Sequence, residues 1–274
     1  MQIWLILLIV ALVDGLAVAA MLLVRRRAPS GGFFEDTQQA SGVLSVAGTV
    51  FAVMVGFAFL IAFQSYGNAR DSADQEAAAT LGLFHAAELF PGRDRDELET
   101  GLICYGRAVA EREWPLMADD ETSTLVSVWA ARIQHRFEAI RPVSYREGAT
   151  GSSWFAQSDA RQQGRLGRLT EADPFVPGAI WVLLILAAAV ILAYVMFFAD
   201  IRERRASQAM MALAVATALV ASLLTIAFLD NAYGTHPGAI GPGSMRDALS
   251  QMRAELARRE PQATVPCDPT GAPV

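Results

Sequence analysis

One carboxylate stands in a run that otherwise holds no charge. Asp14 lies near the middle of IWLILLIVALVDGLAVAAMLLV, residues 3–24, a stretch of bilayer length. On insertion scales a carboxylate there costs ~2.5–3.5 kcal/mol, so an intramembrane Asp is a functional candidate until it finds a partner. It could line a cation or proton path. It could equally be a packing residue hydrogen-bonded to Ser45, Thr49 or Thr225 of a neighbouring helix. A second set of candidates follows in one apolar segment. Phe51, Phe59 and Phe63 recur with Val55 at i, i+4 intervals and form a row that could gate a pore by dewetting. Beside them Gly48, Ala52 and Gly56 have the small-xxx-small spacing that lets membrane helices approach closely, within a subunit or between subunits. Just beyond come Gln64, Tyr66, Asn68, Asp71, Asp74 and Glu76, a polar group that could form an acidic mouth; as a solvated helix surface it needs no further explanation.

Other candidates carry less. His85/Glu88 and His135/Glu138 each read His-x-x-Glu, but the di-iron pattern runs Glu-x-x-His with two further glutamates. No metal and no cofactor is expected. Cys104 and Cys267 could form a disulfide in an oxidising compartment or remain two thiols. There is no P-loop, GxSxG, HExxH or dinucleotide fingerprint, and no nucleophile–base set, so the expectation is a protein that is not an enzyme. A formal charge of −6 argues against a nucleic-acid partner.

The elements that must position these residues are apolar helices. Of 274 residues 53% are hydrophobic, and the excess falls in four blocks. That predicts an all-α membrane protein with spans at 3–24, 44–63, 177–199 and 210–229. The chain then divides into a membrane part (1–66 and 177–231), a helical domain between the second and third spans (67–176), and a tail (232–274) with an amphipathic helix over 244–259. Span two has no proline before Pro91 and should continue as one long helix from Val43 to Phe90. Within the middle domain, helices are expected over 94–117 and 121–140, the latter ended by Pro142. A loop is expected over 148–153, then a weaker helix over 154–172 broken by Gly164 and Gly167. The proline-rich end of the chain reads as disordered. Every one of the 22 basic residues is Arg, and Arg25-Arg26-Arg27 and Arg202, Arg204 and Arg205 flank spans in short loops. By the positive-inside rule both clusters are cytoplasmic. The middle domain, the tail and both termini are then extracytoplasmic, in a bacterial inner membrane. Trp4, Tyr66, Trp181 and Tyr233 fall at the opposite, outer ends, as an aromatic belt does.

The run VFAVMVGFAFLIAFQSYGNARDSADQEAAATLGLF resembles the bacterial bestrophin-like domain family, through Tyr66, Ala69 and Glu76-Ala77-Ala78. YGRAVAEREWPLM, residues 105–117, is similar to that family's Tyr…Glu-Trp-Pro element, and FLDNAYGTHPGAI to its Leu-Asp…Gly element, with Asn231-Ala232-Tyr233 where Pro-Phe is usual. The resemblance covers about residues 44–257. It implies kinship with bestrophins, oligomeric anion channels with four membrane helices per subunit and a cytosolic soluble part. The arginine distribution predicts the opposite side for that part. Two functions are therefore expected: an oligomeric ion channel or pore lined by span two, or a non-enzymatic accessory or scaffold subunit of a larger membrane complex.

Overall fold

The computed structural model describes residues 3–29, 32–90, 92–119, 121–141 and 145–274. Pro91 and Pro142, where helices are expected to stop, lie outside these residues. Among the described residues the structure is helical, with an isolated bridge between Cys267 and Pro273. The helices are α1 (Ile3–Arg27), α2 (Thr37–Ala87), α3 (Gly92–Ala108), α4 (Trp114–Leu116), α5 (Thr124–Ala139), α6 (Tyr145–Thr170), α7 (Gly178–Met196), α8 (Arg205–Asp230) and α9 (Gly243–Arg259). The chain forms two compact units. One comprises Met1–Ser65, Pro174–Asn231 and Thr235–Gly238; the other comprises Tyr66–Asp173, Ala232–Gly234 and Ala239–Val274.

The first unit contains four helices long and apolar enough to cross a membrane: α1, α2, α7 and α8. Hydrocarbon leaves backbone N–H and C=O groups only one another as partners, and a proline-free apolar run meets that demand as a helix. The helices meet through small side chains. Ala17 and Met21 of α1 pack with Met196, Ala212 and Ala216. Ala58 and Ala62 of α2 pack with Val176, Leu184 and Ile226. Alanine at these crossings lets backbones come close, the usual basis of helix association in lipid. At one end the Arg25 guanidinium donates to the Gln208 side chain, to Ile201 O at 2.9 Å and to Glu203 O at 2.6 Å. This gathers both arginine clusters at one end of the unit. Elsewhere in the unit the Asp230 carboxylate, at the C-terminus of α8, accepts from Val176 N at 2.8 Å and Trp181 Nε1 at 3.2 Å. The long helix starts at Thr37 rather than Val43, because the Asp36 carboxylate caps the free amides of Gln38 and Gln39 at 2.9 and 3.0 Å.

The second unit has a conventional core, with Phe84, Leu98, Leu102, Tyr105, Trp129, Trp154 and Met252 fully buried. Three expectations fail here. The helix over 94–117 is interrupted by a π-turn at Val109–Glu113, after which Trp114-Pro115 opens α4. Residues 148–153 are not a loop but part of α6, which Gly164 and Gly167 do not break. A Cβ at Gly164 would meet Glu76 N at 2.6 Å, and one at Gly167 would strike Ser72 Oγ, so these glycines let α6 lie directly on α2. The chain end is not disordered either. Trp129 Nε1 donates to Gly271 O at 2.7 Å, and Asp268 accepts from Thr270 N at 2.8 Å and Ala272 N at 2.9 Å. Cys104 and Cys267 are joined by a disulfide. Prolines that exclude helix here shape a turn held by side chains from α3 and α5. On α9, Met245, Leu249, Met252 and Leu256 are buried.

Candidate functional site

In the first unit the phenylalanine row splits. Phe51 is buried against Ala188, Ile191 and Leu219. Phe59 and Phe63 are 42% and 57% exposed, with rings stacked 6.2 Å apart. The reason is geometric: an i, i+4 step advances about 40° beyond a full turn, so the row winds by about 120° between Phe51 and Phe63. Gln64 is exposed on the same part of the helix. Gly48, Ala52 and Gly56 do not seat a neighbouring helix of this chain, since a Cβ on either glycine meets nothing within 4 Å. They line an open groove of about 540 Å³ that also has Ser222 and Thr225 on its wall. Asp14 accepts a hydrogen bond from Thr217 Oγ1 at 2.9 Å. The three hydroxyls named as partners serve their own helices instead: Ser45 donates to Ser41 O, Thr49 to Ser45 O and Thr225 to Ala221 O, at 2.8–2.9 Å.

In the second unit Glu76 is set apart from the polar residues that precede it. It is fully buried, while Asn68, Asp71 and Asp74 are exposed. Its carboxylate accepts from the Tyr105 hydroxyl at 2.6 Å and from Arg168 Nε and Nη2 at 2.6 and 3.2 Å. Arg168 Nη2 also donates to Glu113 Oε2 at 2.6 Å, and Arg165 Nη2 donates to Glu113 Oε1 at 2.6 Å. The Arg168 guanidinium lies 5.0 Å from the Trp114 ring centroid, and that of Arg161 lies 4.7 Å from that of Tyr105. The glycines of α6 make this possible by bringing Arg168 onto the face of α2 that carries Glu76. The π-turn contributes by turning Glu113 inward.

The charges in this cluster set one another. Burial alone would raise the Glu113 carboxyl, but the Arg165 hydrogen bond and the Arg168 charge hold it below the usual carboxylate range. Burial works against the Arg168 cation, yet Glu76 and Glu113 raise its pKa above the ordinary value. The Tyr105 hydroxyl is pushed up by burial and by the Glu76 charge, so it stays a donor. With each acid committed to a cation and both carboxylates fully buried, the arrangement suits a fixed internal tie. Sequence reading missed Glu113, Arg165 and Arg168. The available signal was Arg161, Arg165 and Arg168 at i, i+4, i+7, one helical face carrying three cations. His85 pairs with Glu255 at 3.2 Å and Glu88 with Arg259 at 2.9 Å, and Glu138 accepts from Gln134. No group of three metal-ligating side chains occurs among the described residues.

Glu76, Tyr105 and Glu113 of the cluster, and Asp230, come from the segments that carry the family resemblance. The bestrophin-like domain profile matches residues 4–234. The chain belongs to the bestrophin-like domain family. Among solved structures this bestrophin-like chain is similar to a bacterial bestrophin homologue from Klebsiella pneumoniae. A point mutant of that protein superposes with a TM-score of 0.68 at 12% identity, covering 89% of this chain and 98% of the other. A second structure of the homologue gives a TM-score of 0.62 at 13% identity, covering 93% and 98%. At such identities the likeness speaks to fold alone. A search of curated proteins finds no match. The bestrophin-like chain is thus a membrane protein with a bestrophin fold.

Proposed function

We propose that this bestrophin-like protein assembles as an oligomeric ion-conducting pore with α2 along the axis. The observation that carries the reading is the uncovered face of α2 in the first unit, where Phe59, Phe63 and Gln64 are exposed beside the Gly48–Ala52–Gly56 stripe. Phe59 and Phe63 form the apolar constriction, and Gln64 follows as the first polar ring. Phe51 and Glu76 have no part in the pore, because both are buried within the subunit. Asp14 is a packing residue held by Thr217. The second unit is extracytoplasmic in this reading, and so are both termini. Two observations support that orientation: the arginines collected at one end of the first unit, and a disulfide of the kind that persists in oxidising compartments. Flux of chloride, potassium and protons from proteoliposomes of the purified protein tests the proposal. Flux of one ion that rises in Phe59→Ala supports it; no flux of any ion from folded protein overturns it.

The groove along Gly48, Ala52 and Gly56 also favours a second reading, an accessory subunit whose groove holds a helix of a different protein. Such a subunit co-purifies with its partner in stoichiometric amount and conducts nothing alone.

A further inference from the structure

Beside the disulfide, the second unit carries a cavity of about 250 Å³ with an unbalanced charge. Its wall includes Arg107, Glu111, Arg246, Leu249, Arg253 and Pro269. Arg246 is neutralised by Glu111, with Nη2 to Oε1 at 3.0 Å. Arg107 makes no ion pair among the described residues: its Nη1 donates to the carbonyls of Cys267 and Asp268 at 2.9 and 3.1 Å and contacts Cys267 Sγ at 3.7 Å. The Asp268 carboxylate, the acid nearest in sequence, is turned onto Thr270 and Ala272. Arg253 makes no hydrogen bond or ion pair among the described residues and is exposed at the rim. Burial and then the charge of Arg253 lower the pKa of Arg107, outweighing the opposing charge of Asp268, as for two cations that share one space. Leu249 and Pro269 supply apolar wall.

We propose that this cavity is a binding site for a small organic carboxylate, its carboxylate held between Arg107 and Arg253 and its apolar body against Leu249 and Pro269. Guanidinium forks match carboxylates in a plane, which a simple point cation does not. Glu111 on the same wall disfavours a dianion such as phosphate, and the apolar side disfavours chloride. The site is independent of the conduction reading.

Butyrate and benzoate titrated into the full-length protein in detergent at constant ionic strength, followed by calorimetry, test it. Saturable binding is expected, weakened at least tenfold in Arg253→Gln and unchanged in Arg258→Gln, an exposed arginine outside the cavity. Arg253→Gln removes no internal bond, so its melting temperature without ligand should match the parent's and a folding defect will not masquerade as lost binding. The proposal is overturned by absence of saturable binding, by equal affinity in Arg253→Gln, or by chloride or phosphate binding as tightly as butyrate.

Discussion

The two units are held together by different physics. In the first, only 11–22% of each apolar helical stretch is buried, and alanines are prominent at the internal contacts. Lipid is as apolar as a leucine side chain, so these helices gain little by burying surface on one another; close packing and a few polar ties such as Arg25–Gln208 and Asp230–Trp181 fix them. In the second, burial does the work: four fully buried aromatics, Phe84, Tyr105, Trp129 and Trp154, belong to a core closed by a disulfide and an internal ion cluster. Where hydrophobic burial is available, the chain tolerates Arg168 and two carboxylates, Glu76 and Glu113, fully inside. Where it is absent, one carboxylate near the middle of α1 needs a hydroxyl.

That contrast can be broken first at Arg168. Arg168→Ala leaves Glu76 in the core without a cation, held only by the Tyr105 hydroxyl, and Glu113 with Arg165 alone; loss of one partner of a buried pair costs about 3–5 kcal/mol. Chemical unfolding followed by tryptophan fluorescence should register it; a loss below about 1 kcal/mol would mean the cluster is solvated. Next is the disulfide. Cys267→Ser opens a loop of 163 residues, for which removal costs about 2–5 kcal/mol. A mobility shift between reducing and non-reducing gels, absent in Cys267→Ser, checks that the bond forms in the cell.

Glu99 sharpens the comparison through pH. Burial pushes its carboxyl up to about 7 despite the Arg259 charge, and its Oε1 is buried without a partner. Its folded value exceeds its unfolded value of 4.5, so the native state binds the extra proton between those limits. Stability therefore declines as pH rises from about 4.5 to 7 and stays lower above that. Glu99→Gln should raise stability above pH 7 by about 1–3 kcal/mol and change little below pH 4.5. Arg259 keeps Glu88 in the variant. A melting-temperature series against pH reads the effect, and parallel curves for parent and variant would refute it.

In the first unit a pair of variants separates packing from conduction. Phe51→Ala should lower thermal stability, by up to about 3 kcal/mol for a buried phenylalanine, with no specific change in flux. Phe59→Ala should leave stability within about 1 kcal/mol and raise leak conductance. If the two behave alike, the face of α2 has been assigned wrongly. The smallest effect is expected at Asp14→Asn, which still accepts the Thr217 hydrogen bond; its ion flux should match the parent's.

Periodicity and composition were enough for the four apolar helices, the unbroken course of α2 and the buried face of α9, because these follow from local patterns of 3.6 residues and from run length. The family elements Glu76, Tyr105 and Glu113-Trp114 were legible as segments but not as neighbours. Their meeting depends on Gly164 and Gly167, which a one-dimensional reading takes for helix breakers and which only a helix lying across them turns into contact points. Exposure at Phe59 against burial at Phe51, and Glu76 turned inward rather than to a mouth, were likewise outside local reach. A side chain's direction is set by helix phase, which sequence supplies, and by what occupies the space opposite, which only the packed chain decides.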